Sequence, residues 1–474
     1  MAAGCIVLLL LLSLPGVAAG QGPIVPPSPT AGAQIIIDPR TPPPATIPSA
    51  PEIILPAPPL EAPRPTKILD VRPSLGISEE YSDNFNRSRE DKVSNFRSAI
   101  TPGLLVLFDR GFLTGRAAYT PTAFYDTADD TAGLNHAFTG QIAWQVTPRL
   151  RLSASDTFAH TDEPGRADRL ELRRGREKFT TNLFSLASDY VLEPYTLQGH
   201  YRHSYFSSDD STTISHTPGV TASVNLARIN TLTLGYEYLA SETTVEGTPT
   251  ATSVSLFGTP TEDTTTTGHQ VTGTYSREVS RLLTAGVTAV YALREQERST
   301  DTTDFTRKSV SVFTNYVFPE RLVIRGNIGV AQLDGDTSGD RVRLITNSDL
   351  SYYLGRAVFG LRVERGFSET FEQGQNFGVV KTSAVSGSVR YNFTPLLSAL
   401  VSGTYRENKF TGEGGGSQAG RDDETIIARA NLTYQIFRWL SATLDYTHTD
   451  TKSSDALASY LENRVRLALT ASFY

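Results

Sequence analysis

From about residue 68 onward, apolar and polar residues alternate along segments of roughly a dozen residues, the period-two pattern of a strand with one apolar and one polar face. In 281–293, Leu283, Ala285, Val287, Ala289, Tyr291 and Leu293 share a face; Thr284, Gly286, Thr288 and the following Arg294 take the other. In 321–333, Leu322, Ile324, Ile328 and Val330 oppose Val323, Arg325 and Asn327. In 424–436, Ile426, Ala428, Ala430, Leu432 and Tyr434 oppose Arg429, Asn431, Thr433 and Gln435. The last segment sets Val465, Leu467, Leu469, Ala471 and Phe473 against Arg464, Arg466 and Thr470. Short turns such as VTPR (146–149), FPER (318–321), YLGR (353–356), NFTP (392–395) and IFRW (436–439) alternate with longer loops of Asp, Thr, Ser and Gly. Nine short turns and ten long loops predict about 20 antiparallel strands, with a range of 16–22.

Soluble sandwiches also alternate, but two features favour a membrane barrel. The segments exceed the usual globular strand of roughly 5–6 residues and match a tilted bilayer span. Aromatic residues also collect at the segment ends. One group comprises Trp144, Tyr190, Tyr275, Tyr316, Tyr352, Tyr391, Tyr434 and Phe473, and the other Tyr119, Tyr205, Tyr238, Tyr291, Phe367, Tyr405 and Tyr446. Two such groups read as interfacial girdles. The expected fold is therefore all-β: a transmembrane up-and-down antiparallel barrel over 67–474, in the outer membrane of a Gram-negative bacterium. Partners expected from that setting are outer-membrane lipid, lipopolysaccharide and the barrel-assembly machinery.

The N-terminus reads differently. CIVLLLLLSL (5–14) followed by Pro15-Gly16 and Val17-Ala18-Ala19 resembles a signal peptide over 1–19, although no Lys or Arg precedes the apolar run. Residues 20–66 hold more than half of the 27 prolines. Extended polyproline chain there reaches at most about 140 Å, at about 3.1 Å per residue. It reads as a disordered periplasmic spacer; tethering to a periplasmic partner or to peptidoglycan, or entry into the lumen, are the sharper readings.

Net charge −7 argues against a nucleic-acid partner. The single cysteine, Cys5, falls in the leader, so the mature chain has no disulfide or thiolate ligand.

ILDVRPSLGISEEYSDNFNRS (68–88) followed by FRSAITPGLLVLFDRG (96–111) resembles the opening of the putative beta-barrel porin 2 family of Gram-negative outer-membrane proteins. The resemblance implies a transmembrane barrel and transport, and some similar barrels accompany exopolysaccharide export. It supplies no catalytic or binding residues. The aromatic end, Phe473 with Tyr474, resembles the assembly signal of outer-membrane barrels.

Parity puts Arg116, Arg202, Arg294, Arg325, Arg362, Arg390, Arg406, Arg429, Arg464 and Arg466 on the lumenal face, because a guanidinium facing lipid is costly. Clustered in one wall they would select anions or acidic glycans; paired with inward Glu237, Asp349, Glu364 and Asp445 they would merely stiffen it. EPGRADRLELRRGREK (163–178) reads as a solvated surface loop, with a constriction or a lipopolysaccharide contact as alternatives. Asp334, Asp336, Ser338 and Asp340 have the spacing of half a calcium loop, but Ile345 stands where the closing Glu belongs, so a polar turn is expected. His200 and His203 fall on opposite faces of one strand, and no metal or cofactor site is expected. No triad or other catalytic motif stands out, so an enzyme is not expected. The leading expectation is a porin-like channel passing small solutes or oligosaccharides. The alternatives are a component of exopolysaccharide export, or a closed surface scaffold with adhesin or receptor loops.

Overall fold

Two of the short turns show why the chain reverses where it does. In VTPR and NFTP the Thr hydroxyl accepts the N–H groups of the residues two and three positions on: Arg149 and Leu150 at 3.2 and 3.0 Å, Leu396 and Leu397 at 3.2 and 3.0 Å. Thr147 and Thr394 thus satisfy backbone donors that the sheet leaves behind, while the following proline offers none. At Asp109–Phe112 the Asp109 carboxylate takes the N–H of Gly111, whose φ of +75° suits glycine.

The computed structural model describes residues 68–163, 172, 176–257, 259–299, 301–319, 321–335, 341–370, 377–412 and 418–473. The expected leader (1–19), the Pro-rich segment (20–66) and Tyr474 lie outside them, as does most of the calcium-like turn. The first ten strands are β1 (Leu69–Ser82), β2 (Asn95–Asp109), β3 (Leu113–Asp126), β4 (Thr131–Thr147), β5 (Leu150–Thr161), β6 (Phe179–Leu192), β7 (Tyr195–Ser207), β8 (Ser211–Ala227), β9 (Asn230–Val245) and β10 (Thr264–Ser280). They continue as β11 (Leu283–Arg298), β12 (Thr302–Phe318), β13 (Leu322–Gly335), β14 (Arg341–Leu354), β15 (Ala357–Glu369), β16 (Val379–Asn392), β17 (Leu397–Phe410), β18 (Asp422–Phe437), β19 (Leu440–Ser453) and β20 (Tyr460–Ser472). A short helix, α1 (Ala251–Phe257), sits in the loop between β9 and β10.

Each strand pairs antiparallel with the next, and β1 pairs with β20, which closes the ring. Twenty strands is the number expected from the turn rhythm. Strands of 12 to 17 residues outrun the roughly 9–11 needed to span the bilayer, so their ends project beyond it. The faces follow the sequence parity. Leu75, Ile77, Ile100, Ile142, Val287, Val312, Ile328, Leu361, Val401 and Leu467 point outward and are exposed. The aromatic group at the short-turn end also points outward, including Trp144, Tyr190, Tyr275, Tyr352, Tyr391, Tyr434 and Phe473. In the other girdle Phe367 departs from expectation: it packs inside the barrel against buried apolar residues. No helix among the described residues is long and apolar enough to cross a membrane.

Candidate functional site in the barrel lumen

The inward face changes character along its height. On β8, Ser211, Thr213, Ser215 and Thr217 are buried, Gly219, Thr221 and Ser223 are half-buried, and Asn225 is exposed. The buried end is the long-loop end; the exposed end lies by the short turns. The other strands repeat this. Near the short turns, the side chains of Arg325 and Asp349 are 62% and 43% exposed although both face inward, so the lumen is open to solvent there. At the long-loop end, inward residues are enclosed by other parts of the chain.

Two structures fill that end. The first is a charge cluster on the β20–β1–β2–β3 side. Arg97 of β2 makes a bidentate pair with Asp126 of β3 (2.8 and 2.6 Å) and also meets Asp162 and Glu163 at 2.5 and 3.3 Å. Arg176 meets Glu163 at 2.7 Å and lies over the Phe85 ring, while Arg97 lies over Phe124. Arg464 reaches Glu163 at 3.2 Å and Glu80 at 3.8 Å, and Arg87 pairs with Glu462 at 3.2 Å. Burial disfavours the Glu163 carboxylate, but Arg176, Arg464 and Arg97 outweigh it and hold this carboxyl well below its usual range. The described residues of the 163–178 loop therefore fold into the mouth instead of lying in solvent: Leu172 is fully buried, and Glu163 and Arg176 are locked in the cluster. Their alternating charges find partners on β2 and β20 that no local pattern reveals.

The second is a hairpin that leaves the wall. β14 and β15 pair from Leu354↔Ala357 up to Thr346↔Arg365 and then part. Above that point β14 stays with β13 (up to Leu333↔Arg341), and β15 stays with β16 (up to Glu369↔Val379). The β15–β16 tip leans inward. Phe367 and Val379 pack with Leu239 of β9, Phe305 of β12 and Leu333 of β13. Glu369 receives Arg294 at 3.0 Å and Arg307 at 3.3 Å. On the other side of the tip, Val380 and Phe377 pack with Leu172 and Phe410. Arg421, held bidentate by Asp423, lies over the Phe410 and Phe377 rings. Arg343 of β14 bridges the split to the Thr382 carbonyl (3.3 Å) and the Ser383 hydroxyl (2.8 Å).

The ten arginines chosen by parity sit on the inward side of nine strands, seven of them on β13–β20 and the other three on β3, β7 and β11. Arg294 and Arg464 belong to the filled mouth. Arg325 pairs loosely with Asp349 (3.7 Å) and Arg362 with Glu364 (3.9 Å) in the hydrated part. Arg466 approaches Ser78 at 3.4 Å. Arg116, Arg202 and Arg390 have no carboxylate within ion-pair distance among the described residues; Arg406 and Arg429 also face the lumen. Glu237 pairs with His200 (2.9 Å) and Asp445 with Asn431 (2.5 Å). His203, as parity requires, points outward. Phe473 lies on the outer face, its N–H bonded to the Pro73 carbonyl at 2.9 Å. Asp334 pairs with Lys308 on the outside, at 2.8 Å.

A closed antiparallel ring with short turns at one end, long loops at the other and an apolar outer face defines an outer-membrane β-barrel. Solved structures resemble the chain to differing degrees, and one of them agrees on the fold. The FrpB iron transporter from Neisseria meningitidis superposes with a TM-score of 0.50 at 11% identity, over 85% of this chain and 83% of that one. The ferric enterobactin receptor PfeA from Pseudomonas aeruginosa, solved as a mutant, gives 0.49 at 10% identity, over 85% and 81%. The outer membrane protein opdK from Pseudomonas aeruginosa gives 0.37 at 12% identity, over 85% and 98%. At such identities the likeness concerns the fold alone. The model of the putative beta-barrel porin 2 family matches residues 344–473, from β14 to the end of β20. This is the family expected from the opening motif, matched over a different part of the chain. No curated protein matches.

Proposed function

We propose that this protein is a gated channel of porin type in the outer membrane of a Gram-negative bacterium, passing small hydrophilic solutes or oligosaccharides. The observation that carries this reading is the hydrated, charged lower lumen beneath a mouth closed by the chain's own hairpin and loops. A barrel built only as a scaffold gains nothing from a water-filled half lined by unburied arginines. Twenty strands lie between the roughly 16–18 of open porins and the roughly 22 of plugged transporters. The ring is therefore wide enough to conduct once its upper half is cleared. In the lower lumen of β13–β18, Arg325, Arg362, Arg390 and Arg429 face two carboxylates, Asp349 and Glu364, so the open state should prefer anions.

The test is single-channel recording of the refolded barrel in planar bilayers under a salt gradient. The wild type should show long closures broken by large, anion-preferring openings. Replacing Arg325, Arg362 and Arg390 together by Gln should move the reversal potential toward cation preference while leaving step size within about twofold. The filled mouth favours a second reading, a permanently closed scaffold. Silence that persists after the mouth has been opened by mutation would establish it and end the channel proposal.

A further inference from the structure

A polar chain on the inner wall ties the tip of the inward hairpin to one histidine. The protein has seven histidines. His136, His160, His203, His216, His269 and His448 face outward with their strand partners, and His200 of β7 alone faces the lumen. Its ring lies across β8, where Gly219 leaves the room; a Cβ there would clash with His200 Nε2. His200 thereby reaches Glu237 of β9, to which Nε2 donates at 2.9 Å. The other Glu237 oxygen accepts from Gln270 of β10 at 3.2 Å, and the Gln270 side-chain oxygen accepts from Arg307 of β12 at 3.4 Å. Arg307 and Arg294 both end on Glu369 at the hairpin tip, at 3.3 and 3.0 Å.

The charges around His200 decide how this chain responds to a proton. On β7–β12, Glu237 and Glu278 are the inward carboxylates among the described residues, and Glu278 lies at the short-turn end. From β6, Ala187 stands opposite His200; one step lower, Asp189 accepts from Gln198 at 2.9 Å and faces Arg151 of β5. β8 contributes no charge there, and Arg202 is the next inward residue of β7. Arg294 of β11 lies over Gly268 of β10, leaning toward β9, and its field and that of Arg202 reach Glu237. In the closed mouth Glu369 neutralises Arg294 and Arg307, so Glu237 is left to His200. When the hairpin withdraws, Glu369 goes with it. Two guanidinium groups then compete for the carboxylate that His200 uses, and they repel an imidazolium.

We infer that His200 is the proton sensor of the gate: a proton on its ring stabilises the closed mouth, so the channel closes as pH falls. The sign follows from linkage. The closed state, with Glu369 in place, holds the imidazolium better than the open state does, and acid favours whichever state binds the proton more tightly. Protonation of Glu369 itself would act the other way, but carboxylates ordinarily titrate below the imidazole range. Gly219 is a positioning residue here, because only a residue without a side chain lets the ring cross β8.

The inference rests on the gated-channel reading, and the two fail differently. The test records single channels of the refolded full chain between about pH 8 and pH 5, the interval in which imidazole ordinarily changes charge. Open probability should fall roughly fivefold toward the acid end, the lower end of site-to-site coupling, and recover on return. His200→Gln keeps a donor for Glu237 but gains no proton, so its open probability should be the same at both ends. Glu237→Gln, which removes the shared carboxylate, should flatten the profile as well. A wild-type open probability that is flat or rises toward acid overturns the inference, and so does a response that survives in either variant. Silence at every pH, in the wild type and in Phe367→Ser alike, ends the channel reading and this inference with it.

Discussion

A barrel carrying Leu344→Cys and Phe367→Cys should be nearly silent when reduced and locked into a large steady conductance when oxidised. The register from Leu354↔Ala357 to Thr346↔Arg365 continues arithmetically to Leu344 opposite Phe367, yet in this conformation the two strands have already parted. If the hairpin swings back into the wall, directly opposed Cα atoms come within about 4.5–5.5 Å, inside the range a disulfide spans. Re-zipping withdraws Phe367 and Val379 from the Leu239, Phe305 and Leu333 cluster and Glu369 from Arg294 and Arg307, so the apolar part of the closure goes with it. Phe367→Ser alone, which weakens the packing without a crosslink, should raise opening frequency and leave the state unlocked. Reductant should restore the closures of the double variant. Oxidation that proceeds to completion without changing conductance would show that the hairpin is not the gate. Failure to oxidise in active, inserted protein would show that β14 and β15 never zip at this height.

The same residues show how far the sequence could be read. Strand number, the two faces and the sorting of aromatics to the ends all follow from local alternation, because a wall strand meets lipid on one side and lumen on the other at every second residue. Phe367 escaped that logic. Its parity is that of a girdle residue, which is where it would lie in a zipped β14–β15 wall. In the closed conformation its position is decided by partners tens of residues away. Glu369 finds Arg294 across 75 positions, and nothing local announces that pairing. A signal was nevertheless present. Leu239, Phe305, Leu333 and Phe410 carry inward parity near the long-loop end, and large apolar side chains on a lumenal face need something to pack against. Arg97 was equally open to the parity rule, since Phe96 and Ile100 point outward. Its importance depends on Asp162, which lies 65 positions away. Arginines selected on parity alone thus mix two populations: those sealed in the mouth and those standing in water.

Arg97→Ala should loosen the mouth without unfolding the barrel. The substitution strands Asp126, Asp162 and part of Glu163 in a buried setting, and removing one member of a buried ion pair costs about 3–5 kcal/mol. That energy falls on the mouth and not on the wall, because the β2–β3 ladder continues below it to Asp109↔Thr114. At about 1.4 kcal/mol per decade, opening of the 162–178 loop should become roughly two to three orders of magnitude more frequent. The readout is the rate at which limited trypsin nicks this arginine-rich loop in intact, heat-modifiable protein. Acid should act on the same cluster only at the extreme. Glu163 is held well below its usual range by Arg176, Arg464 and Arg97, so its contribution is fully present above the ordinary carboxylate pKa and is lost only as pH falls through the depressed folded value. The wild-type loop should therefore resist protease unchanged from neutral pH down to the usual carboxylate range and yield only below it, probed there with an acid-active protease. Nicking that rises already in mildly acidic buffer, or that is the same in Arg97→Ala and wild type, would mean that the cluster does not hold the mouth.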